Sequence, residues 1–249
     1  EVMEGLHISL KAEKIFEIAG IPITNSILTT WLVMIFLIIL SLSISSKISK
    51  IPGFLQSVVE IIIGGIYQLF ETITGKKTKI LFPILATLFI FIIFQNWTGL
   101  LPGVGTVLVH TEVNHHKEFV PLFRAGTADL NTTLALATFA VISIQYFGII
   151  TLGKEYIGRF FNFKNPIYFF VGFLELLSEG TKIISFAFRL FGNIFAGEVL
   201  LTVIAFLMPL FAPLPFMALE LFVGFIQALV FSMLTSVFLS LATTSHNEH

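Results

Sequence analysis

A chain of 249 residues with 56% apolar and 12% charged side chains cannot cover a water-soluble surface with polar groups. A net charge of −1 leaves no electrostatic footprint for nucleic acid, and the absence of cysteine excludes disulfides, thiolate metal sites and thiol chemistry. A mean hydropathy of +0.96 and 29 phenylalanines point instead to a chain whose bulk faces lipid. The sequence opens on Glu1 rather than Met, so its natural start is expected upstream.

Membrane spans follow from length, since a helix needs roughly 20 apolar residues to cross a hydrocarbon core of about 30 Å. Residues 1–26 form an N-terminal segment ahead of a first expected span, 27–46, with Trp31 near its start as an interface anchor. Residues 47–79 follow as a loop segment. Within it Phe54–Thr74 is apolar but carries Gln56, Glu60, Gln68 and Glu71, the pattern of an amphipathic helix at the membrane surface rather than of another crossing. The next uncharged run, 80–101, contains Trp97 and gives a second span. Residues 102–129 form a loop in which Pro102-Gly103-Val104-Gly105 reads as a turn. His110, His115 and His116 lie there with Glu112 and Glu118, without the spacing of a recognised metal motif. Asp129 and Asn131 stand at the entrance to a third span, 130–152, where Asp129 has the chemistry of a helix N-cap.

Beyond Pro166 no proline or polar loop occurs until Pro209. As one helix this stretch of about 42 residues would be about 63 Å long, twice the membrane thickness. Pro209, Pro213 and Pro215 mark a turn, and a last apolar run reaches Ala242. Two architectures fit. Either the long stretch breaks into an interfacial helix and a span, or segments 166–208 and 212–244 form a hairpin of long, steeply tilted helices. Lys and Arg set the orientation. Lys47, Lys50, Lys76, Lys77, Lys79, Lys154, Arg159 and Lys164 fall on one side, against Lys11, Lys14, Lys117 and Arg124 on the other. The N-terminus is therefore expected outside. Five crossings then put the C-terminus in the cytoplasm. The expected fold is an all-α polytopic membrane protein forming a single membrane domain, with five crossings and one interfacial helix.

Arg189 breaks the apolar pattern of the long stretch. An arginine at mid-membrane costs about 2.5–3.5 kcal/mol on insertion scales and cannot escape by deprotonating. At 100° per residue, Glu175, Ser178, Ser185 and Asn193 fall within about 40° of it, giving a polar stripe several turns long. Such a stripe lines a wet path or faces a polar partner. Glu179 and Lys182 read as a solvated or interfacial helix start. Glu198 points to the opposite side of the helix, about 13 Å further along. Folding the hairpin about Phe211 sets Glu198 opposite a position near Gly224, so that Glu198 and Glu220 come within about one turn and would titrate as a coupled pair. Glu220 and Gln227 share a face. Small residues (Gly180, Ala187, Gly192, Ala196 and Gly197, with Ala218, Gly224 and Ala228) permit close helix contact.

The string Phe188-Arg189-Leu190-Phe191-Gly192-Asn193-Ile194-Phe195-Ala196-Gly197-Glu198 resembles the signature of subunit a of F-type ATP synthases. Gln227-Ala228-Leu229-Val230-Phe231 with Leu234-Thr235 resembles that family's last helix, and Ala128-Asp129-Leu130-Asn131-Thr132-Thr133 the start of an earlier span. The resemblance favours the long tilted hairpin, curved round a rotor ring. It implies an ion-translocating stator, for H⁺ or alternatively Na⁺, with no enzymatic activity or cofactor of its own. Its partners would be the c-subunit ring, the b-subunit peripheral stalk and the rest of the synthase. The location implied is a bacterial inner membrane. Arg189 would face the ring carboxylates and block a direct proton shortcut, with Asn193 and Gln227 beside it. Glu198 and Glu220 would line the outer half-channel, with Asp129 and Asn131 near its entrance. Glu175 and Ser178 would line the inner one. Some members carry His at the position of Glu220; two acids here preclude a His-based relay.

The residues themselves weigh against other classes. No GxxxxGK[ST], HExxH or Ser-His-Asp arrangement is present. An independent channel or secondary transporter would need a complete path, and often corresponding broken helices in two halves. Here the embedded charge is concentrated in one hairpin. A purely structural anchor gives no reason for Arg189.

Overall fold

The computed structural model describes residues 12–18, 20–46, 48, 52–101, 104, 107–113, 116–160, 166–209 and 211–244. Of the features above, Lys11, Lys47, Lys50, Lys164, His115 and Pro102, Gly103 and Gly105 of the expected turn lie outside the described residues, as do the side chains of His110, Glu112, His116, Lys117 and Glu118.

Helices dominate, as the apolar runs require. They are α1 (Asn25–Ser45), α2 (Phe54–Thr74), α3 (Thr78–Thr98), α4 (Leu130–Leu152), the short α5 (Lys154–Phe160), α6 (Pro166–Leu207) and α7 (Pro213–Ala242). Five helical stretches are long and apolar enough to cross a membrane: Asn25–Ser45, Phe54–Thr98 (α2 and α3 joined by a 3₁₀ turn), Leu130–Leu152, Pro166–Leu207 and Pro213–Ala242. The all-α polytopic class therefore holds. Two antiparallel hairpins are added to it: β1 (Lys14–Ile18) with β2 (Ile21–Thr24), and β3 (Leu108–Val113) with β4 (His116–Pro121). The sequence gives little warning of them, because both lie in segments without apolar periodicity.

Local chemistry sets the ends of the helices. The Thr24 hydroxyl accepts from Ile27 N–H at 3.4 Å and caps α1. Asp129 caps α4, accepting from Asn131 N–H at 3.0 Å. Gly75 and Gly153, at φ +54° and +57°, terminate α2 and α4 in a conformation that costs other residues strain. Pro213 starts α7, where a missing N–H is harmless. α3 ends at Thr98 rather than 101, because Leu100 N–H and Leu101 N–H bond in turn fashion to Trp97 and Thr98 carbonyls.

α6 runs unbroken for 42 residues. The choice left open by the apolar lengths is thus resolved as one long helix, with α7 folded back along it. Lys182 Nζ lies 4.4 Å from the centre of the Phe238 ring, the Phe186 and Phe231 rings are 5.0 Å apart, and Asn193 meets Gln227. These pairs put the turn near residue 210, close to the expected Phe211. Gly224 itself faces α3, where Asn96 Nδ2 donates to its carbonyl at 2.8 Å.

The core lies between α3, α4, α6 and α7. Leu81, Leu85, Leu88 and Ile92 of α3 meet Ala137, Ala140 and Ile144 of α4, Phe186, Ala187 and Leu190 of α6, and Ala228, Phe231 and Leu239 of α7. Fully buried alanines on three of the helices permit close approach. α1 is peripheral, with Ile35, Phe36, Ile38, Ile39 and Leu42 exposed. α2 buries Ile66, Phe70 and Thr74 near its C-terminal end and leaves Phe54, Leu55 and Ile61 open. The C-terminus of α7 docks on the α2–α3 corner, where Lys77 Nζ donates to the Thr243 carbonyl and complements the helix dipole.

α5 packs on α6 where Gly172 leaves room. A methyl at Gly172 would lie 2.4 Å from the Phe160 carbonyl oxygen, and backbone cannot yield cheaply. Gly172→Ala is expected to destabilise the protein by about 1–3 kcal/mol, as overpacking does. Gly64→Ala, inside α2 and with nothing within 4 Å of its added methyl, should be stabilising by up to about 1 kcal/mol. Thermal unfolding in detergent, comparing the two variants, measures the difference.

Candidate functional site

Arg189 lies near the middle of α6 and is exposed. Its Nη2 donates to Ser185 Oγ at 3.4 Å, one helical turn earlier. Apolar side chains of the same helix are exposed to either side of the stripe it shares with Ser185 and Asn193, among them Ile184 at 57% and Phe188 at 54%. Gly180 and Gly192 lie on open surface of the same helix, with no atom within 4 Å of where a methyl would stand. A permanent cation therefore projects from a smooth apolar helix with a neutral hydroxyl for company.

One turn on, Asn193 Nδ2 donates to Gln227 Oε1 across the hairpin. Gln227 is buried, and its Nε2 finds no partner among the described residues. The pair ties α6 to α7 beside the guanidinium while retaining a spare donor. Beyond it, the Glu220 carboxylate rests on Gly197. A methyl there would lie 2.1 Å from Glu220 Oε2, so the seat exists because residue 197 lacks a side chain.

Glu198, the next residue, is held by Arg124. The Arg124 Nε lies 3.0 Å from Oε1 and 3.1 Å from Oε2, and Nη2 donates to Oε2 at 3.0 Å. The hairpin brings Glu220 to the residue adjoining Glu198, but Glu198 has its ion pair with the loop cation. The sequence offered no basis for this pairing, because it depends on how the 102–129 loop folds back. Near it, Thr127 Oγ1 donates to Asn96 Oδ1 at 2.8 Å. Gln95 is fully buried, beside Gly126, with neither amide atom hydrogen-bonded among the described residues. Gln95 and Asn96 were legible as two adjacent amides inside an apolar run; Arg124 and Thr127 carried no such signal. Asp129 is buried and accepts from Ser26 Oγ at 2.8 Å as well as from Asn131 N–H and Nδ2 at 3.0 and 3.3 Å. Asp129 and Asn131 thus work together as a helix cap that also fastens α1.

A second polar group lies toward the start of α6. Glu175 pairs with Arg159 Nε at 3.4 Å, Glu179 with Lys182 Nζ at 2.6 Å, and Tyr156 donates to Gln145 Oε1 at 2.9 Å. Burial, with Glu179 nearby, pushes the Tyr156 hydroxyl up to about 12, so it stays a neutral donor. Ser178 is exposed one turn from Glu175. The two polar groups lie toward opposite ends of α6, with Arg189 between them.

The family model described as ATP synthase A chain matches residues 27–240. The chain is 35% identical over 228 residues to "ATP synthase subunit a" of Moorella thermoacetica, covering 91% of this chain and 94% of that one. It is 32% identical over 236 residues to "ATP synthase subunit a 2" of a Bradyrhizobium species, covering 95% and 96%. Its identity to "ATP synthase subunit a" of Geotalea uraniireducens is 33% over 242 residues, covering 96% and 91%.

The contact of Glu220 with Gly197 fixes the hairpin register and is open to test, because the chain contains no cysteine of its own. Gly197→Cys with Glu220→Cys is expected to form a disulfide on mild oxidation, because the Glu220 Cδ lies 2.2 Å from where a Cβ at residue 197 would stand. Gly192→Cys with Glu220→Cys should not. Gel mobility with and without reductant reads both pairs.

Proposed function

Because this chain belongs to the ATP synthase subunit a family, and so is a non-catalytic, multi-pass Fo membrane subunit of the F-type ATP synthase, we propose that its α6–α7 hairpin is the stator of the ion path. Ions, taken as protons with Na⁺ as the alternative, would pass between two offset half-paths by way of carboxylates on a ring of c subunits.

The exposed Arg189 carries this reading. A guanidinium keeps its proton throughout the accessible pH range. At mid-membrane it needs an anion or water, and its neighbour Ser185 supplies no charge. The side chain faces outward, so the anion belongs to another chain. A ring carboxylate arriving there is favoured in its ionised form and releases its proton to one side. Between arrivals, the fixed positive charge repels a proton moving directly from one half-path to the other. Asn193 and Gln227 brace the hairpin beside this point and offer donors to water or to the ring site.

Glu220 and Glu198 supply the outer half-path, with Asp129 and Asn131 near its mouth. Glu175 and Ser178 supply the inner one. Helix α6 is about 63 Å long at 1.5 Å per residue, so it fits a bilayer only when steeply tilted or extending beyond it. Tilting brings more of its length alongside a ring than an upright helix could offer. The same reading places α2 at the membrane surface, the N-terminus outside and the C-terminus in the cytoplasm of a bacterial inner membrane. The c ring and the b-subunit stalk are its partners.

Arg189→Ala is expected to abolish proton-driven ATP synthesis and ATP-driven pumping while the complex still assembles. Arg189→Lys should fail too, because a compact ammonium differs in reach and hydration and can lose its proton. Acidification of inverted vesicles on ATP addition, alongside subunit content, measures this; normal pumping by Arg189→Ala vesicles would refute the assignment. Glu220→Gln should slow pumping without leakage, since Arg189 still separates the half-paths. Rapid passive leakage in Glu220→Gln vesicles would place the barrier at the carboxylate instead.

A further inference from the structure

We propose that Arg124 is a positioning residue of the outer half-path, holding in one orientation the carboxylate of Glu198, one residue along α6 from the seat of Glu220. The inference rests on the reading above that Glu198 belongs to the ion path.

Arg124 is a loop residue, yet only 7% of it is exposed. Its backbone N–H donates to Thr29 Oγ1 of α1 at 3.3 Å, and its guanidinium carbon lies 5.9 Å from the centre of the Phe195 ring of α6. The residues after it are wedged just as tightly. Ala125 Cβ would stand 2.5 Å from a methyl at Gly99, and Thr127 bonds Asn96. The loop thus enters between α1, α3 and α6 and carries one cation with it. That cation grips both oxygens of Glu198.

The two partners are not equally enclosed. The Arg124 side chain is 8% exposed, that of Glu198 38%. An enclosed cation carries a desolvation cost and needs its anion held in good geometry, which the two-oxygen grip supplies. Here the cation is enclosed and the carboxylate is fixed with one side open. Glu198 becomes an oriented acceptor with accessible lone pairs, one residue along α6 from the glycine on which Glu220 rests. The planar fork of Arg suits this task, and the point charge of Lys does not.

The test is passive proton conductance per assembled complex in membranes stripped of the catalytic head. Arg124→Gln should lower conductance about tenfold, the lower end of the loss when a group that orients a functional side chain is removed. Arg124→Lys should fall between it and wild type. Arg124→Gln combined with Glu198→Gln should be no worse than Glu198→Gln alone, because one arrangement is lost in both. If Arg124→Gln stays within about twofold of wild type while Glu198→Gln is impaired, the inference fails and the path stands. If Glu198→Gln itself conducts fully, the path assignment fails and the inference with it. A staple alone would reduce the amount of complex and leave conductance per complex unchanged. Should Arg124→Gln prevent assembly, Arg124→Lys decides: full conductance per complex from the lysine variant overturns the proposal.

Discussion

An arginine that cannot lose its proton, set on the outer face of an apolar helix about 63 Å long, is the constraint on which the rest of the structure depends. On insertion scales its position costs about 2.5–3.5 kcal/mol. That cost is tolerated only where the fold supplies either an anion or water. Glu198 and Glu220 do not serve, because one is engaged by Arg124 and the other seats on Gly197 beyond the Asn193–Gln227 brace. On the proposed reading the charge is left for an external partner, and the Asn193–Gln227 contact ties the hairpin together one turn away.

The packing follows from the same need. A cation held at a set height requires a helix that does not slide, and α6 is fastened at several levels. Gly172 admits α5 near one end, Phe186 packs against Phe231 in the middle, and Arg124 grips Glu198 further along. α7 is fastened independently: Asn96 and Trp97 of α3 bond the carbonyls of Gly224 and Leu221, and Lys77 meets Thr243. On the side of α6 that bears Arg189, Gly192 is unobstructed. Fastened on one side and open on the other is the form expected of a stator surface.

Much of this was legible in the sequence. Spans and class follow from apolar length alone, and Arg189 was conspicuous because charge in an apolar run is expensive. Periodicity aligned Ser185 and Asn193 with Arg189, and symmetric folding about the proline turn came close to the true register. Two kinds of feature were not legible. Helix continuity past Pro166 rests on the absence of a break, which composition permits but does not require. Partners contributed by loops leave no periodic trace, so Arg124, counted for its charge, gave no sign that it reaches Glu198. Nor does periodicity alone show that Gly224 of α7 faces α3 or which α6 glycine receives Glu220.

The central claim is that the face of α6 bearing Arg189 meets a ring carboxylate on another chain. Oxidative cross-linking in native membranes tests it most directly, with Gly192→Cys in this chain and a cysteine placed beside the carboxylate of the c subunit. The account predicts a heterodimer from Gly192→Cys and none from Ile39→Cys on peripheral α1. A heterodimer from Ile39→Cys, with Gly192→Cys unreacted, would contradict it.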